Sequence, residues 1–205
     1  MAKTPSAARN GRLQVLKTCK MYVGGSFIRS ESGKVLPAVA ADGKTTLAQV
    51  CRASRKDFRD AVVAARKAFG KWSGMTAYLK GQILYRTAEM LEMRAGEMEL
   101  EIMRSTGVNA TAARREVADA VELLVHYAGW SDKFTAVFGS VNPVSSPHFN
   151  FTYPEATGVV VVVCPDTPSF VPLVHLVAAT IVTGNSCIVL PSDTAPLPAL
   201  TFCEI

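Results

Sequence analysis

Five consecutive valines, Val159–Val163, constrain the fold of this 205-residue chain more than any other feature. β-branched side chains suit a pleated strand, and an unbroken run of them leaves no polar position for a solvated face. Both faces of this strand are therefore expected to be covered. Ser169–Thr183 follows as an almost wholly apolar helix, Gly184-Asn185 supplies its C-terminal stop, and Ser186–Leu190 is again strand-like. Glu155–Pro196 thus reads as a parallel βαβ unit with a right-handed crossover. Ligands of open α/β sheets sit at the carboxyl ends of the strands. Here those ends are Cys164-Pro165-Asp166-Thr167 and Leu190-Pro191-Ser192-Asp193.

Charge and composition narrow the function classes. Between Asp166 and Asp193 the chain carries no formal charge, yet Pro168, Pro172, His175, Gly184 and Asn185 interrupt it. No clean piece reaches the ~20 apolar residues of a spanning helix, so a buried core helix and no membrane partner are expected. The net charge of +5 is concentrated at the start: residues 1–30 hold six basic groups and no acid, whereas the remainder holds 16 basic and 17 acidic groups. The body therefore offers no clustered basic face for nucleic acid. Residues 1–20 read as a basic flexible leader or linker that lacks the apolar core of a secretory signal. Cys19, Cys51, Cys164, Cys187 and Cys203 are odd in number and include no CxxC pair. That pattern excludes a recognisable zinc site and suits a reducing, cytoplasmic setting. His126, His148 and His175 show no ligand spacing, and His175 is expected in the core.

Local signals place the other elements. Met21-Tyr22-Val23 and Ser26-Phe27-Ile28 flank Gly24-Gly25 as a short hairpin, with weak strands around Val35 and over Leu47–Cys51. Ser54 with Asp57 forms a capping box opening a helix whose stripe is Phe58, Ala61, Val62, Ala65 and Phe69, and Gly70 is its expected end. Thr76–Met93 turns Leu79, Ile83, Leu84, Ala88 and Leu91 inward; Gly96–Ser105 is a shorter helix. Ala110–Val137 is the longest, with Val117, Val121, Leu124, Val125 and Ala128 at helical spacing. Gly139–Pro154, carrying Pro143, Pro147 and alternating Phe149, Phe151 and Tyr153, reads as an extended arm. A last helix starts near Ala195.

These landmarks resemble the N-terminal half of the aldehyde dehydrogenase superfamily. Met21–Gly25 is similar to its opening strand and turn, and Ser54–Phe69 with Trp72 to its first amphipathic helix. Tyr127-Ala128-Gly129-Trp130 with Lys133 is similar to the end of its long helix, and Pro154–Val160 to the segment entering its nucleotide-binding sheet. Gly184-Asn185, Leu190-Pro191-Ser192-Asp193 and Pro196 fall where the family has Gly-Asn and Lys-Pro-Ser-Glu. The resemblance implies an α/β class: an incomplete aldehyde dehydrogenase-like fold of N-terminal helices plus the first βαβ of a Rossmann-like parallel sheet. Residues 21–138 then form the helical part of the NAD(P)-binding domain, 139–154 an arm resembling the oligomerisation strands, and 155–205 the first, truncated βαβ. It further implies NAD or NADP as cofactor, oxidation of aldehydes to acids through a cysteine thiohemiacetal, and a homo-oligomer or a full-length aldehyde dehydrogenase-like partner.

The same resemblance puts Thr167 at the family's oxyanion asparagine and Cys164, Pro165, Asp166, Leu190, Ser192 and Asp193 at cofactor-binding positions, with no metal. The family's Pro-Trp-Asn is here Pro165-Asp166-Thr167. Losing one oxyanion donor costs ~2.7–4 kcal/mol, about 100- to 1000-fold in rate. The lysine that holds the ribose hydroxyls is here Leu190, and a charged hydrogen bond is worth ~1.5–3 kcal/mol. The family's nucleophile and general base come later than Ile205, and none of the five cysteines matches the nucleophile's context. The chain is therefore expected to be inactive alone, a truncated pseudoenzyme. A non-catalytic structural or partner-binding module of a tandem assembly is the alternative, and a nucleotide-binding protein of another kind is a third reading.

Overall fold

The computed structural model describes residues 15–205. The leader expected over residues 1–20 lies outside that span except for its end, where Thr18–Cys19 forms strand β1. Met21–Val23 (β2) and Ser26–Ile28 (β3) make the expected antiparallel hairpin. Val35–Val39 (β4) and Thr46–Cys51 (β5) are antiparallel, and β1 joins β5 in parallel, giving the order β1-β5-β4.

Arg55–Ser73 (α1) opens on its capping box: the Asp57 amide donates to Ser54 Oγ at 3.2 Å, and the Ser54 amide to Asp57 Oδ2 at 2.7 Å. The helix outlasts Gly70, its expected stop. One interior glycine costs only ~1 kcal/mol, and Trp72 anchors the extra turn by donating its indole N–H to the Ile181 carbonyl at 2.9 Å. Phe58, placed inward by periodicity, is exposed. Its neighbour Asp57 turns inward instead, accepting from the Ser30 hydroxyl at 2.6 Å.

Ala77–Met93 (α2) buries Leu84, Ala88 and Leu91 as expected, but Leu79 and Ile83 face out while Lys80 and Gly81 face in. Two contacts set this rotation. Lys80 Nζ donates to the Ser73 carbonyl at 3.1 Å, at the carboxyl end of α1 where a cation meets the negative end of the helix dipole. At Gly81 the backbone runs so close to the following helices that an added Cβ would lie 2.6 Å from Ser131 Oγ.

Ala95–Thr106 (α3) leads into Ala110–Trp130 (α4), which buries Ala113, Val117, Ala120 and Leu124 and lies among its helical neighbours at the centre of the core. Val125, expected inward, is exposed. The single long helix expected over 110–137 is two: α4 stops at Trp130, and Phe134–Phe138 (α5) resumes after a turn. Ser131 and Asp132, whose short polar side chains compete for nearby backbone groups, occupy the break. Ser140–Asn142 (β6) and Asn150–Thr152 (β7) then pair antiparallel as the extended arm.

Val159–Val163 (β8), Val171–Val182 (α6) and Ser186–Leu190 (β9) form the expected unit, with β8 and β9 parallel and Val159 opposite Ser186 through Val163 opposite Leu190. Leu197–Phe202 (α7) closes the described chain. The main core gathers α2, α3, α4, α6 and one face of β8, with Phe170 and Leu91 fully buried; Ala38, Ala48 and Leu197 form a satellite under the β1-β5-β4 sheet.

Two expectations about this unit need correction. Only one face of β8 is fully covered: Val162 is buried against the α4–α6 side, whereas Val161 and Val163 are 46% and 69% exposed. α1 covers that second face only near the amino ends of the strands, where Ser186 Oγ donates to the Ala65 carbonyl at 2.9 Å. His175 is likewise not in the core. The buried face of α6 is Leu173, Val174, Ala178 and Val182, and His175 lies outside it, where its Nδ1 is 3.2 Å from the Tyr127 hydroxyl. Among the described residues, no helix is long and apolar enough to cross a membrane.

Candidate functional site

The two strand ends meet where the sequence places them. β8 and β9 stay paired one residue past β8, the Cys164 amide donating to the Leu190 carbonyl at 2.9 Å, and both loops then leave on the same edge. Between that edge and α6 the chain is tied down from the helical side. Glu116 on α4 accepts the amides of Phe170 at 2.9 Å and Val171 at 3.3 Å through one carboxylate oxygen, satisfying donors at the start of α6. Phe170 is buried edge-on against Phe202, ring centroids 5.7 Å apart.

The candidate residues divide into three groups. Asp166 and Ser192 come together: Ser192 Oγ donates to Asp166 Oδ1 at 2.8 Å. Thr194, which the sequence reading missed, joins them with its hydroxyl 3.4 Å from the same oxygen. The signal for it was available, since a Ser-Asp-Thr run directly after a strand is a local side-chain-to-backbone turn motif. Pro165, Thr167 and Asp193 are exposed on the loops around this contact or beside it. Cys164 and Leu190 point elsewhere. Cys164 is buried in the main core, and Leu190 is 43% exposed on the opposite sheet face.

The electrostatics follow from these contacts. The Ser192 hydroxyl holds the Asp166 carboxyl below the usual carboxylate range, with the backbone amides of Thr194 and Asp193 assisting. Burial pushes the thiols of Cys164, Cys187 and Cys19 up, and Cys203 up to about 11. A thiol so shifted is almost wholly protonated near neutral pH, and the thiolate is the nucleophile. Among the described residues, no group of three or more His, Cys, Asp or Glu side chains is arranged to hold a metal ion.

A dinucleotide needs donors for its phosphates and ribose hydroxyls, and the residues here do not fit one. Leu190 offers a hydrocarbon side chain and no donor, and the hydroxyls of Ser192 and Thr194 are engaged by a carboxylate. Ser169 has the one buried side-chain polar atom without a partner among the described residues, but its oxygen is sealed from solvent and cannot serve a ligand in the crevice.

Comparison with known proteins gives this geometry a lineage. The model of the aldehyde dehydrogenase family matches residues 27–205. The chain is 31% identical over 191 residues to the mitochondrial 10-formyltetrahydrofolate dehydrogenase of Mus musculus, covering 90% of this chain and 20% of that protein. To the cytosolic 10-formyltetrahydrofolate dehydrogenase of Xenopus tropicalis it is 32% identical over 193 residues, covering 91% and 21%. An NAD+ complex of aldehyde dehydrogenase from Bacillus cereus superimposes with a TM-score of 0.87 at 28% identity, over 92% of this chain and 38% of that one. The chain thus spans about a fifth of the length of these curated relatives and 38% of the solved one. Strand-end loops, long central helix and βαβ unit all fall within the matched span: this chain belongs to the aldehyde dehydrogenase family.

Proposed function

We propose that these residues serve as a scaffold within an aldehyde dehydrogenase-like assembly and oxidise no aldehyde by themselves. The family's activity is NAD(P)-dependent oxidation of aldehydes to carboxylic acids. The observation that carries our reading is the strand-end contact: a carboxylate, Asp166, occupies the hydroxyl donors at the place where cofactor and oxyanion would need them. The raised thiols of Cys164, Cys187 and Cys203 point the same way, because none is prepared to attack a carbonyl. Five free cysteines suit a reducing compartment, and we place the protein in the cytoplasm. Incubating the purified chain with short and long aliphatic aldehydes and either NAD+ or NADP+ is expected to give no reduced nicotinamide above the protein-free rate. Turnover with either cofactor would sink the scaffold reading.

A partner is favoured by a separate observation. The arm carries Phe149 and Phe151, 73% and 60% exposed and tilted against each other with ring centroids 5.6 Å apart, and Phe151 pairs across the hairpin with exposed Val141. A lone two-stranded hairpin is marginal in water, and clustered exposed aromatics mark contact surfaces. We propose that a second copy, or a full-length aldehyde dehydrogenase-like partner, covers it. The chain is expected to sediment as a dimer or larger. Phe149→Asp with Phe151→Asp should convert it to a monomer with the thermal midpoint of the folded body retained. A wild-type protein that stays monomeric at high micromolar concentration, with no such partner bound, would count against this.

A further inference from the structure

We infer that Asp166 is an internal anion: its carboxylate occupies the donors of the loop after β9, latches the two strand-end loops together, and excludes external anions from the crevice between them. Ser192 decides the geometry. It is only 3% exposed, and its oxygen accepts the amides of Thr194 at 3.2 Å and Ala195 at 3.0 Å. With both lone pairs so engaged, the hydroxyl proton is directed outward, and Asp166 Oδ1 receives it at 2.8 Å. The Thr194 hydroxyl lies 3.0 Å from Ser192 Oγ and 3.4 Å from the same carboxylate oxygen. Asp166 comes from the other loop, 26 residues earlier, and is itself exposed, so its hold is the set of donors on the loop after β9: the Ser192 and Thr194 hydroxyls with the amides of Asp193 and Thr194.

Hydroxyl and amide donors converging in a loop form a concavity suited to an anion. In a protein that binds a phosphate at such a place, the ligand supplies the charge. Here the chain supplies it, and a second negative charge brought to the same donors meets both repulsion from Asp166 and the exposed carboxylate of Asp193 nearby. The consequence is specificity by exclusion: phosphates and carboxylates are rejected, and the loop is rigid without a ligand. This deepens the scaffold reading and rests on it in one respect, that the crevice is not a working dinucleotide site.

Backbone amide exchange on the full chain separates the two ideas, because it reads the loop whether or not any turnover is found. In Asp166→Ala the amides of Asp193, Thr194 and Ala195 are expected to exchange about tenfold faster or more, the effect of losing a charge-assisted hydrogen bond. Inorganic phosphate at millimolar concentration should restore their protection in this variant and leave the wild type unchanged. Asp166→Asn keeps the side-chain shape and provides the same comparison should the alanine variant not fold. Equal exchange in wild type and variant, phosphate protection of the wild type, or a loosened variant loop that phosphate fails to restore would each overturn the assignment.

Discussion

Replacing Phe170 by alanine is expected to lower the free energy of unfolding by about 3–5 kcal/mol, the range for removing a fully buried phenylalanine. Three contacts converge on this residue. Its ring is enclosed in the main core and meets Phe202 nearly perpendicularly, an arrangement that favours aromatic pairs. Its amide is held by Glu116 from α4. It also stands directly before α6, so the cavity left behind would open under the loop that carries Asp166. The surrounding helices cannot collapse into the space without shifting α6 against β8. Because single domains are stable by only ~5–15 kcal/mol, a loss of this size leaves little of the folded state. Phe170→Leu, which keeps most of the volume, should cost much less. Urea unfolding followed by circular dichroism tests both: the midpoint should fall at constant slope for leucine and far more for alanine. A midpoint shift for alanine below that of leucine would remove Phe170 from its central place in the core.

Asp57→Ala is expected to cost roughly 2–3 kcal/mol, because it removes a helix cap and leaves buried donors without an acceptor. The carboxylate receives the Ser30 hydroxyl at 2.6 Å, the Ser54 amide at 2.7 Å and the Glu31 amide at 3.1 Å, tying α1 to the loop after β3. The Ser30 hydroxyl above all, with the two amides, lowers its pKa to about 2. An unfolded aspartate titrates near ~3.9, so the folded state binds a proton less readily than the unfolded one. The stabilisation is therefore complete above about pH 5 and drains away as the pH falls from about 4 towards about 2. The gap between wild type and Asp57→Ala should be constant from neutral pH to that window and close within it. Urea midpoints measured stepwise from neutral pH to acid would show this. A gap that persists at pH ~2, below the unfolded titration, would mean that packing rather than charge explains the loss.

What the sequence could and could not reveal follows from the range of each interaction. The capping box at Ser54 and Asp57 and the βαβ unit at Val159–Leu190 rest on contacts between near neighbours or on periodicity, and both are present. Most of the failures are tertiary, the break at Ser131-Asp132 and the turn at Thr194 being the local exceptions. α1 runs past Gly70 because Trp72 finds a carbonyl on α6, and α2 is turned by a lysine that reaches the end of α1. No pattern within either helix contains that information. His175 sits in an apolar run but faces Tyr127, since α6 needs only one side for the core. At the strand ends, the positions of Asp166 and Ser192 were legible from strand-end geometry. Their hydrogen bond was not, because it depends on how two loops 26 residues apart converge.

The α2 lysine that reaches the end of α1 has a consequence for how this chain can change over time. Gly184 holds a backbone φ of +89°, and a Cβ there would lie 3.1 Å from Lys80 Nζ, 3.4 Å from Ala156 Cβ and 3.5 Å from the Ser73 backbone. Lys80 in turn needs the Ser73 carbonyl to compensate its buried charge. Ser73 and Lys80, on successive helices, and the distant Gly184 are thus bound into one inherited unit. Shortening Lys80 removes crowding at position 184 but not the strain of its left-handed backbone, so glycine there is held by conformation as well as by contact. Descendants that lose Lys80 are therefore expected to keep glycine at 184.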